Sequence, residues 1–307
     1  MGVERSTNNQ KPTIGFIGAG TVGTALAVRL FEQGYPVIAV ASRSRSSADK
    51  LAEKVNECKA YENKQAVADR CDLVFVTTPD DDVLDVVNEL KWHGAQSVVH
   101  CSGVDSLDVL EKAKTDGAQV GGFHPLQTFA SVTHAIQNLP GSTFALEAEG
   151  PLLETLREMA ESLQGKCVTL GEGDKPLYHA AAVIACNYMV TLMKMATDLW
   201  QTFGVSPEEA TEALMPLVRG TVNNIENVGL PDCLTGPIAR GDIGTITKHL
   251  EIMEERVPEI ASTYRELALK TIPVALSKGK IDLARAEELR LLLTGSEKYS
   301  YTEVWRQ

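Results

Sequence analysis

The first half of the chain alternates short apolar runs with amphipathic segments. Apolar runs typical of buried parallel strands lie at residues 13–18, 36–42, 71–79, 96–103 and 118–125. Segments with the spacing of amphipathic helices follow the first four runs, at residues 21–34, 46–56, 81–90 and 106–117. Such alternation predicts a doubly wound, mostly parallel sheet with helices on both faces. A last helix at 151–165 and a last strand at 167–171 complete this half.

The second half has helical periodicity throughout. Residues 177–204 are apolar on nearly every side, which is typical of a helix buried in a domain or dimer core. A helix capped by Ser206 follows, and further helices are predicted at 242–254, 257–276 and 281–294. Because 307 residues exceed the usual length of one domain, we predict an α/β chain of two domains. The sheet domain covers residues 1–170 and the all-α domain covers residues 171–307.

A glycine-rich sequence, Gly18-Ala19-Gly20-Thr21-Val22-Gly23, lies between the first predicted strand and the first predicted helix. In this context Gly18 allows a tight turn, Gly20 lets the backbone approach a pyrophosphate, and Gly23 lets the helix pack closely on the strand. The N–H groups at the start of the helix, from Thr21 and Val22 onward, attract an anion. We therefore predict a dinucleotide-binding loop. The alternative is a glycine-rich turn without a ligand.

The end of the second strand indicates which dinucleotide binds. Proteins that bind NAD usually place a carboxylate there to accept a hydrogen bond from the ribose 2′-OH. This chain instead has Ser42-Arg43-Ser44-Arg45, and its first carboxylate beyond them is Asp49. Guanidinium and hydroxyl groups suit a 2′-phosphate, so NADP is the predicted cofactor. The alternative is that the two arginines only cap a surface loop.

Polar residues also follow the third and fourth predicted strands. Thr77, Thr78 and Pro79 end one strand and Ser102 follows the other. Because ligands bind at the carboxyl ends of strands in open α/β sheets, we expect these residues to line the nicotinamide-ribose side of the cofactor. They can serve as helix caps and turn formers at the same time.

Three further segments carry candidate chemistry. The segment 123–129 contains His124 and Gln127 directly after the fifth strand. The segment 175–179 contains Lys175 and His179, and Asn187 lies two helical turns beyond His179 on roughly the same face. Each of these residues could instead be a turn residue or a core polar group with a partner. Polar side chains on an apolar helix need partners, however, and a substrate cleft supplies them.

The third segment, Leu234 to Asp242, is a polar turn between predicted helices. Thr235 and Arg240 are its candidate substrate-binding residues, with Arg240 placed to clamp a carboxylate. Asp242 is equally well explained as a helix N-cap.

The glycine loop, "TTPDD", "FHPLQTF", "KPLYHAAAVIACNYMVTL" and "LTGPIARGD" together resemble the Rossmann-like proteins that carry a DUF2520 domain. That group belongs to the 6-phosphogluconate dehydrogenase-like superfamily, beside pyrroline-5-carboxylate, ketopantoate and coenzyme-F420-dependent NADP oxidoreductases. The resemblance covers nearly the whole chain. It implies an NADP-binding Rossmann domain, an all-helical C-terminal domain and a homodimer built through the helices, without a substrate.

One departure concerns the catalytic residues. Related β-hydroxyacid dehydrogenases carry a catalytic lysine four residues before an asparagine on the long interdomain helix. If that asparagine corresponds to Asn187, the lysine position holds Val183. The resemblance then leaves His179 or Lys175 to take over the acid/base role, beside His124.

Charge and composition narrow the partners. A net charge of −12 and a pI near 5.0 argue against binding to nucleic acid or to anionic membranes. We find no apolar run of about 18 residues, no apolar signal stretch at residues 1–12 and no CxxC pair among the six cysteines. A cytoplasmic protein with reduced cysteines and no bound metal is therefore expected.

The favoured function is an NADPH-dependent reductase of a small carbonyl or imine compound that bears a carboxylate. The cofactor supplies the hydride, His124 or His179 the proton, and Asn187 orients the substrate. F420 chemistry stays possible within the superfamily. The alternatives are a non-catalytic NADP-binding sensor or scaffold, and a structural dimer whose glycine loop is empty.

Overall fold

The structure, a computed structural model, describes residues 11–295. The expectation that residues 1–12 contain no apolar signal stretch concerns residues that lie mostly outside this range. Two compact units make up the chain, one ending at Asn187 and the other beginning at Tyr188. The predicted boundary at residues 170 and 171 lies just after the last strand, whereas the two units divide inside the helical segment that follows. The two predicted domain roles stay predictions.

The first unit is built on one sheet of eight strands in the order β3-β2-β1-β4-β5-β6-β7-β8. All neighbouring strands are parallel except β6 and β7, which are antiparallel. This confirms the predicted α/β class and the doubly wound, mostly parallel sheet. The strands are β1 (Ile14–Ile17), β2 (Val37–Ala41), β3 (Lys59–Tyr61), β4 (Leu73–Val76), β5 (Ser97–His100), β6 (Gln119–Leu126), β7 (Thr143–Glu147) and β8 (Lys166–Thr169).

Helices connect the strands of the first unit. They are α1 (Thr21–Glu32), α2 (Arg45–Ala52), α3 (Lys64–Ala68), α4 (Asp80–Asn88), α5 (Glu111–Thr115), α6 (Val132–Asn138) and α7 (Gly150–Ser162). A 3-10 turn, Leu107–Leu110, precedes α5, so the single helix predicted at 106–117 is divided in two.

A row of aromatic rings runs across one face of the sheet. Phe16 stacks on Phe75 with ring centroids 5.2 Å apart, and Phe123 stacks on Phe144 at 4.7 Å. Phe75 and Phe123 meet edge to face at 5.8 Å, and all four side chains are fully buried. Because buried aromatic rings remove large apolar areas from water, this row stabilises the sheet that carries the site.

Four short elements of the first unit were not predicted from the sequence. They are β3, α3, α6 and β7. The three residues of β3 include a lysine and are not fully buried, so this edge strand lacks the apolar run of a central strand. Strand β7 has a buried centre, yet it pairs antiparallel with β6, which a regular strand-helix alternation does not predict.

The long apolar segment predicted as one helix at 177–204 is interrupted. Helix α8 (Lys175–Ala182) continues into a π-helical turn, Val183–Asn187, and then into α9 (Tyr188–Gln201). In a regular α-helix, residue i+8 is rotated by about 80° from residue i. A π turn accommodates one extra residue, which rotates Asn187 back to within about 20° of His179. The turn therefore improves the alignment that the sequence predicted.

The second unit is helical. Its helices in the described part of the chain, besides α9, are α10 (Pro207–Val228), α11 (Pro237–Arg240), α12 (Ile243–Arg256), α13 (Pro258–Ser277) and α14 (Leu283–Thr294). Ser206 and Glu209 form a capping box that begins α10. Buried apolar residues of α11 to α14, such as Ile246, Ile272 and Leu289, form the core of this unit.

Helices α8 to α10 leave an unusual amount of apolar surface exposed. Large side chains that are at least two-fifths exposed include Leu177, Ile184, Val190, Leu217 and Val228. The segment Lys175–Gln201 is also long and apolar enough to cross a membrane by length and composition, so the expectation that no segment reaches that limit is wrong. One such helix is weak evidence for a membrane protein, because helices that bury a face in a soluble assembly have the same composition.

Candidate active site

The candidate site lies at the carboxyl edge of the sheet in the first unit. Strands β1, β4 and β5 run parallel, with Ile17 opposite Val76 and Val76 opposite His100. The segments that follow these strands therefore emerge side by side, as the sequence predicted from their positions after apolar runs. Strand β6 extends past its pairing with β5 at Gly122 and brings His124 to the same edge.

The geometry of the glycine loop requires glycine at two positions. Gly18 has φ +112°, and a Cβ there would lie 2.5 Å from the carbonyl carbon of Thr77. A Cβ on Gly23 would lie 2.4 Å from Thr77 Oγ1 and 2.6 Å from the carbonyl oxygen of Gly18. Both distances are far below van der Waals contact. Gly18 therefore makes the turn and Gly23 allows α1 to pack on the sheet, as predicted.

Gly20 differs from its neighbours because it faces open space. A Cβ there would meet no atom within 4 Å. Gly20 is also the N-cap of α1, where no side chain caps the helix and no acidic residue occupies the first turn. The unpaired N–H groups at Thr21 and Val22 are thus available to an anion. This open cradle fits the pyrophosphate of a dinucleotide.

The two threonines after β4 have different environments. Thr77 Oγ1 donates to the carbonyl oxygen of Gly18 at 2.8 Å and so fixes the glycine loop. Thr78 Oγ1 is buried and has no hydrogen-bond partner within residues 11–295. A buried hydroxyl without a partner is costly, so Thr78 is suited to contact a bound nucleotide. Pro79 is exposed and is the N-cap of α4.

The two arginines after β2 are engaged to different degrees. Arg45 lies 2.8 Å from Asp49 in an ion pair along α2, and 3.7 Å from Glu62. Arg43 has a side chain that is 86% exposed, with one carboxylate, Asp82, at 3.4 Å. Arg43 is therefore the more available of the two for a 2′-phosphate. Ser44 caps α2 by accepting a hydrogen bond from a backbone N–H, and Ser42 is partly buried just before the arginines.

Two histidines and a tyrosine meet over a glycine at the same edge of the sheet. His124 Nδ1 lies 2.8 Å from the hydroxyl of Tyr178, and the rings of His124 and His179 are 6.3 Å apart between centroids. A Cβ on Gly103 would lie 2.7 Å from His179 Cδ2 and 2.8 Å from His124 Nε2. Gly103 thus makes room for both imidazoles. We call Gly103, His124, Tyr178 and His179 the histidine cluster.

The surroundings of the cluster control its protonation. Burial, followed by the nearby His179 and Lys175, lowers the pKa of His124 to about 4. Burial raises the pKa of the Tyr178 phenol to about 12. His124 is therefore neutral at pH 7 and Tyr178 keeps its proton. A neutral imidazole that is hydrogen-bonded to a phenol can relay a proton without remaining positively charged.

Polar groups next to the histidine cluster enclose the Lys175 side chain, and we call this enclosed space the socket. The Lys175 ammonium group lies 2.9 Å from Glu147 Oε2, donates to the carbonyl oxygen of Asp105 at 2.6 Å and lies 3.1 Å from His100 Nε2. The side chain is 5% exposed and that of Glu147 is 14% exposed. A Cβ on Gly122 would lie 2.9 Å from the Lys175 nitrogen. The socket therefore depends on a glycine, a carboxylate, a carbonyl and an imidazole.

His100 and Ser102 belong to the wall of this socket. Burial, followed by the charge of Lys175, lowers the pKa of His100 to about 3. The backbone N–H of Ser102 faces His100 Nδ1 at 3.2 Å. The Ser102 hydroxyl accepts hydrogen bonds from the backbone N–H groups of Val104 and Asp105, at 3.3 and 3.1 Å. Ser102 thus shapes the loop after β5, and its predicted contact with the cofactor stays a prediction.

The structure separates the remaining predicted residues. Asn187 ends the π turn and is exposed. Gln127 points its amide toward α6, with Nε2 3.3 Å from the carbonyl oxygen of Asn138. In the second unit, Thr235 and Arg240 line a cavity of about 410 Å³ together with Lys278 and Lys280. Their predicted roles toward a substrate stay predictions.

Two family models match the chain. Residues 142–271 match the domain of unknown function DUF2520, and residues 13–102 match the model described as NADP oxidoreductase, coenzyme F420-dependent. The second match includes the glycine loop and the strand ends whose geometry fits a dinucleotide. Together the two matches confirm that the chain resembles the Rossmann-like NADP oxidoreductases that carry a DUF2520 domain. They also support an NAD(P)-dependent oxidoreductase and confirm the predicted NADP cofactor.

Solved structures share the fold of this oxidoreductase. The protein TM1727 from Thermotoga maritima is 27% identical, with a TM-score of 0.68 over 86% of this chain and 99% of that one. A candidate NADP oxidoreductase from Bacteroides fragilis is 24% identical, with a TM-score of 0.66 over 85% and 98%. The pyrroline carboxylate reductase of Plasmodium falciparum, with NADP bound, is 15% identical, with a TM-score of 0.58 over 92% and 98%. No curated protein matches the chain.

Sequence reasoning missed several residues of the oxidoreductase's site. Tyr178, His100 and Gly103 lie in segments that the sequence singled out but received no role, and Asp105 and Glu147 lie outside those segments. Glu147 ends β7, a strand that was not predicted. The one signal that could have found Tyr178 is its helical spacing from Lys175, because residues i and i+3 share a face.

Proposed function

We propose that this oxidoreductase uses NADPH to reduce a small carbonyl or imine compound that bears a carboxylate. The observation that carries the proposal is the position of the histidine cluster at the same sheet edge as the glycine loop. NADPH, when bound, supplies a hydride. The chain then needs a proton source beside the nicotinamide, and His124, Tyr178 and His179 offer one.

Among these groups, His179 is the proposed proton donor. Burial keeps His124 neutral at pH 7, with a pKa of about 4, so His124 is a poor source of a full imidazolium charge. His179 is partly exposed and shares a helix with Asn187, which the π turn brings into line with it. Asn187 would orient the substrate through its amide, which both donates and accepts hydrogen bonds.

The substrate class rests on chemistry and on the fold. Reduction of an imine requires one hydride, which the cofactor supplies, and one proton, which the cluster supplies. The pyrroline carboxylate reductase with the same fold is named for a substrate of this class.

The test begins with NADPH binding, measured by quenching of protein fluorescence. NADPH oxidation is then followed with cyclic imino acids, 2-keto acids and the deazaflavin F420, and NADP⁺ reduction is followed with 3-hydroxy acids. We expect turnover with an imino or keto acid. Tight NADPH binding without turnover of any compound would favour the sensor or scaffold, and turnover of F420 alone would move the reaction to that carrier.

Variants of the two histidines assign the proton donor once a substrate is known. His179→Asn is expected to lower turnover by ~10²-fold or more, while NADPH affinity stays near that of the unmodified protein. His124→Asn is expected to act mainly on substrate binding. A turnover loss confined to His124→Asn would reverse the assignment.

We also propose that the protein is a homodimer formed through its C-terminal helices. The exposed apolar side chains of α8 to α10 support this, because such surface is seldom left in contact with water. Light scattering of a dilute solution is expected to give twice the mass of 33.2 kDa. A monomer mass would exclude the dimer.

A further inference from the structure

We propose that Lys175 is a positioning residue and not a proton donor. Its ion pair with Glu147 holds the first turn of α8 against the carboxyl edge of the sheet, and the cluster above it carries the proton. The inference rests on the proposed function in one respect, which is that a reaction takes place at this edge of the sheet. The contacts of Lys175 do not depend on that function.

The first argument concerns the donors of Lys175. An ammonium group has three N–H donors and no acceptor. The Lys175 nitrogen donates to Asp105 O at 2.6 Å, forms an ion pair with Glu147 Oε2 at 2.9 Å and lies 3.1 Å from His100 Nε2. These groups enclose the nitrogen and the side chain is only 5% exposed, so a substrate has little access to it. A proton donor must reach the reacting atom within about 3 Å or through one water.

The second argument concerns the position of Lys175 in the helix. Lys175 is the first residue of α8, and its partners belong to β5, the loop after β5 and β7. Tyr178 and His179 follow at i+3 and i+4, on the next turn of the same face. A fixed first turn therefore sets where these two side chains meet His124.

The third argument is electrostatic. The groups that face His124 are His179, Lys175 and Tyr178 on α8, and His100 on β5. Of these, Lys175 is the buried cation, and its charge opposes protonation of both His100 and His124. Removal of the charge of Lys175 must then make His124 easier to protonate, an effect that a purely mechanical role would not produce.

The experiment is an NMR titration of the histidine side chains in the full-length protein, without substrate. Lys175→Met is compared with the unmodified protein and with Lys194→Met, which removes a lysine whose carboxylate partner, Asp198, lies one turn along the exposed face of α9. We expect Lys175→Met to raise the pKa of His124 and to weaken the Nδ1 hydrogen bond to Tyr178. Lys194→Met should change neither.

A second measurement needs no variant. The native protein is acetylated with an N-hydroxysuccinimide ester, and the modified lysines are identified by mass spectrometry. We expect Lys194 to react and Lys175 to stay protected. Acetylation of Lys175 at the rate of Lys194, or an unchanged His124 titration in Lys175→Met, would overturn the inference. Because both readouts omit cofactor and substrate, a failure of the proposed reductase activity would leave their outcome intact.

Discussion

The glycine loop and the histidine cluster lie at one edge of the same sheet but are built in opposite ways. The loop is six consecutive residues whose backbone forms the site, and a Cβ at Gly20 would meet nothing within 4 Å. The cluster gathers side chains from β6 and α8 over Gly103, a glycine in the loop after β5 that has no space for a Cβ. A backbone site is encoded in contiguous sequence, whereas a side-chain site depends on packing between distant segments.

The two regions also differ in what supports them. The loop is held by backbone contacts and by the Thr77 hydroxyl, all close to the strands that the sequence predicted. The cluster depends on a buried ion pair, Lys175–Glu147, and on two imidazoles that burial keeps neutral. Substitutions and acid should therefore damage the cluster before the loop.

The largest expected effect is on the support of the cluster. Glu147→Gln leaves the buried Lys175 ammonium without its carboxylate, which should lower the free energy of unfolding by about 3–5 kcal/mol. Denaturant unfolding measures the loss. The control is Glu89→Gln, which removes a surface pair with Lys64 at 2.7 Å and should cost less than about 1 kcal/mol.

A double variant sharpens this test. Lys175→Met combined with Glu147→Gln removes both charges, so it should recover part of the stability that Glu147→Gln loses. Equal losses in Glu147→Gln and Glu89→Gln would show that the buried pair does not support the cluster.

How far the sequence predicts the site follows from the same contrast. Gly18 follows β1, Gly23 lies at the start of α1 and Arg43 follows β2, as predicted, because each is marked by its position relative to an apolar run. Their contacts with a nucleotide stay predictions. The sequence predicts only an approximate alignment of His179 with Asn187, because it does not indicate the π turn. The extra residue of that turn improves the alignment. Glu147 could not be predicted, because an unpredicted antiparallel strand brings it to Lys175.

The second effect is the dependence of stability on pH. The pKa of His124 is lowered to about 4 and that of His100 to about 3, against about 6.5 in the unfolded chain. At pH values between the folded-state pKa of each histidine and about 6.5, the unfolded state binds more protons than the folded state, so acid favours unfolding. The free energy of unfolding should be insensitive to these groups above pH ~6.5 and fall below it. The slope is up to about 1.4 kcal/mol per pH unit for each histidine.

Denaturant unfolding at several pH values measures this slope. His124→Asn should remove about half of the slope that the two histidines contribute. The control is His134→Asn, since His134 lies at the exposed start of α6 beside Ser131. A slope that survives His124→Asn unchanged would mean that other groups titrate.

The smallest effect is expected at the nucleotide side, where an exposed contact is removed. Arg43 lies after β2 with its side chain 86% exposed, and a 2′-phosphate would accept a charge-assisted hydrogen bond from it. Arg43→Ala should cost about 1.5–3 kcal/mol, a ten- to hundred-fold loss in NADPH affinity, and leave NADH binding unchanged. Arg45→Ala should cost less, because Asp49 already holds that guanidinium at 2.8 Å. Titration of both nucleotides by fluorescence distinguishes these outcomes. Equal dissociation constants for NADPH and NADH in the unmodified protein would contradict the assignment of Arg43 to the 2′-phosphate. The arginine would then make no contact that depends on that phosphate.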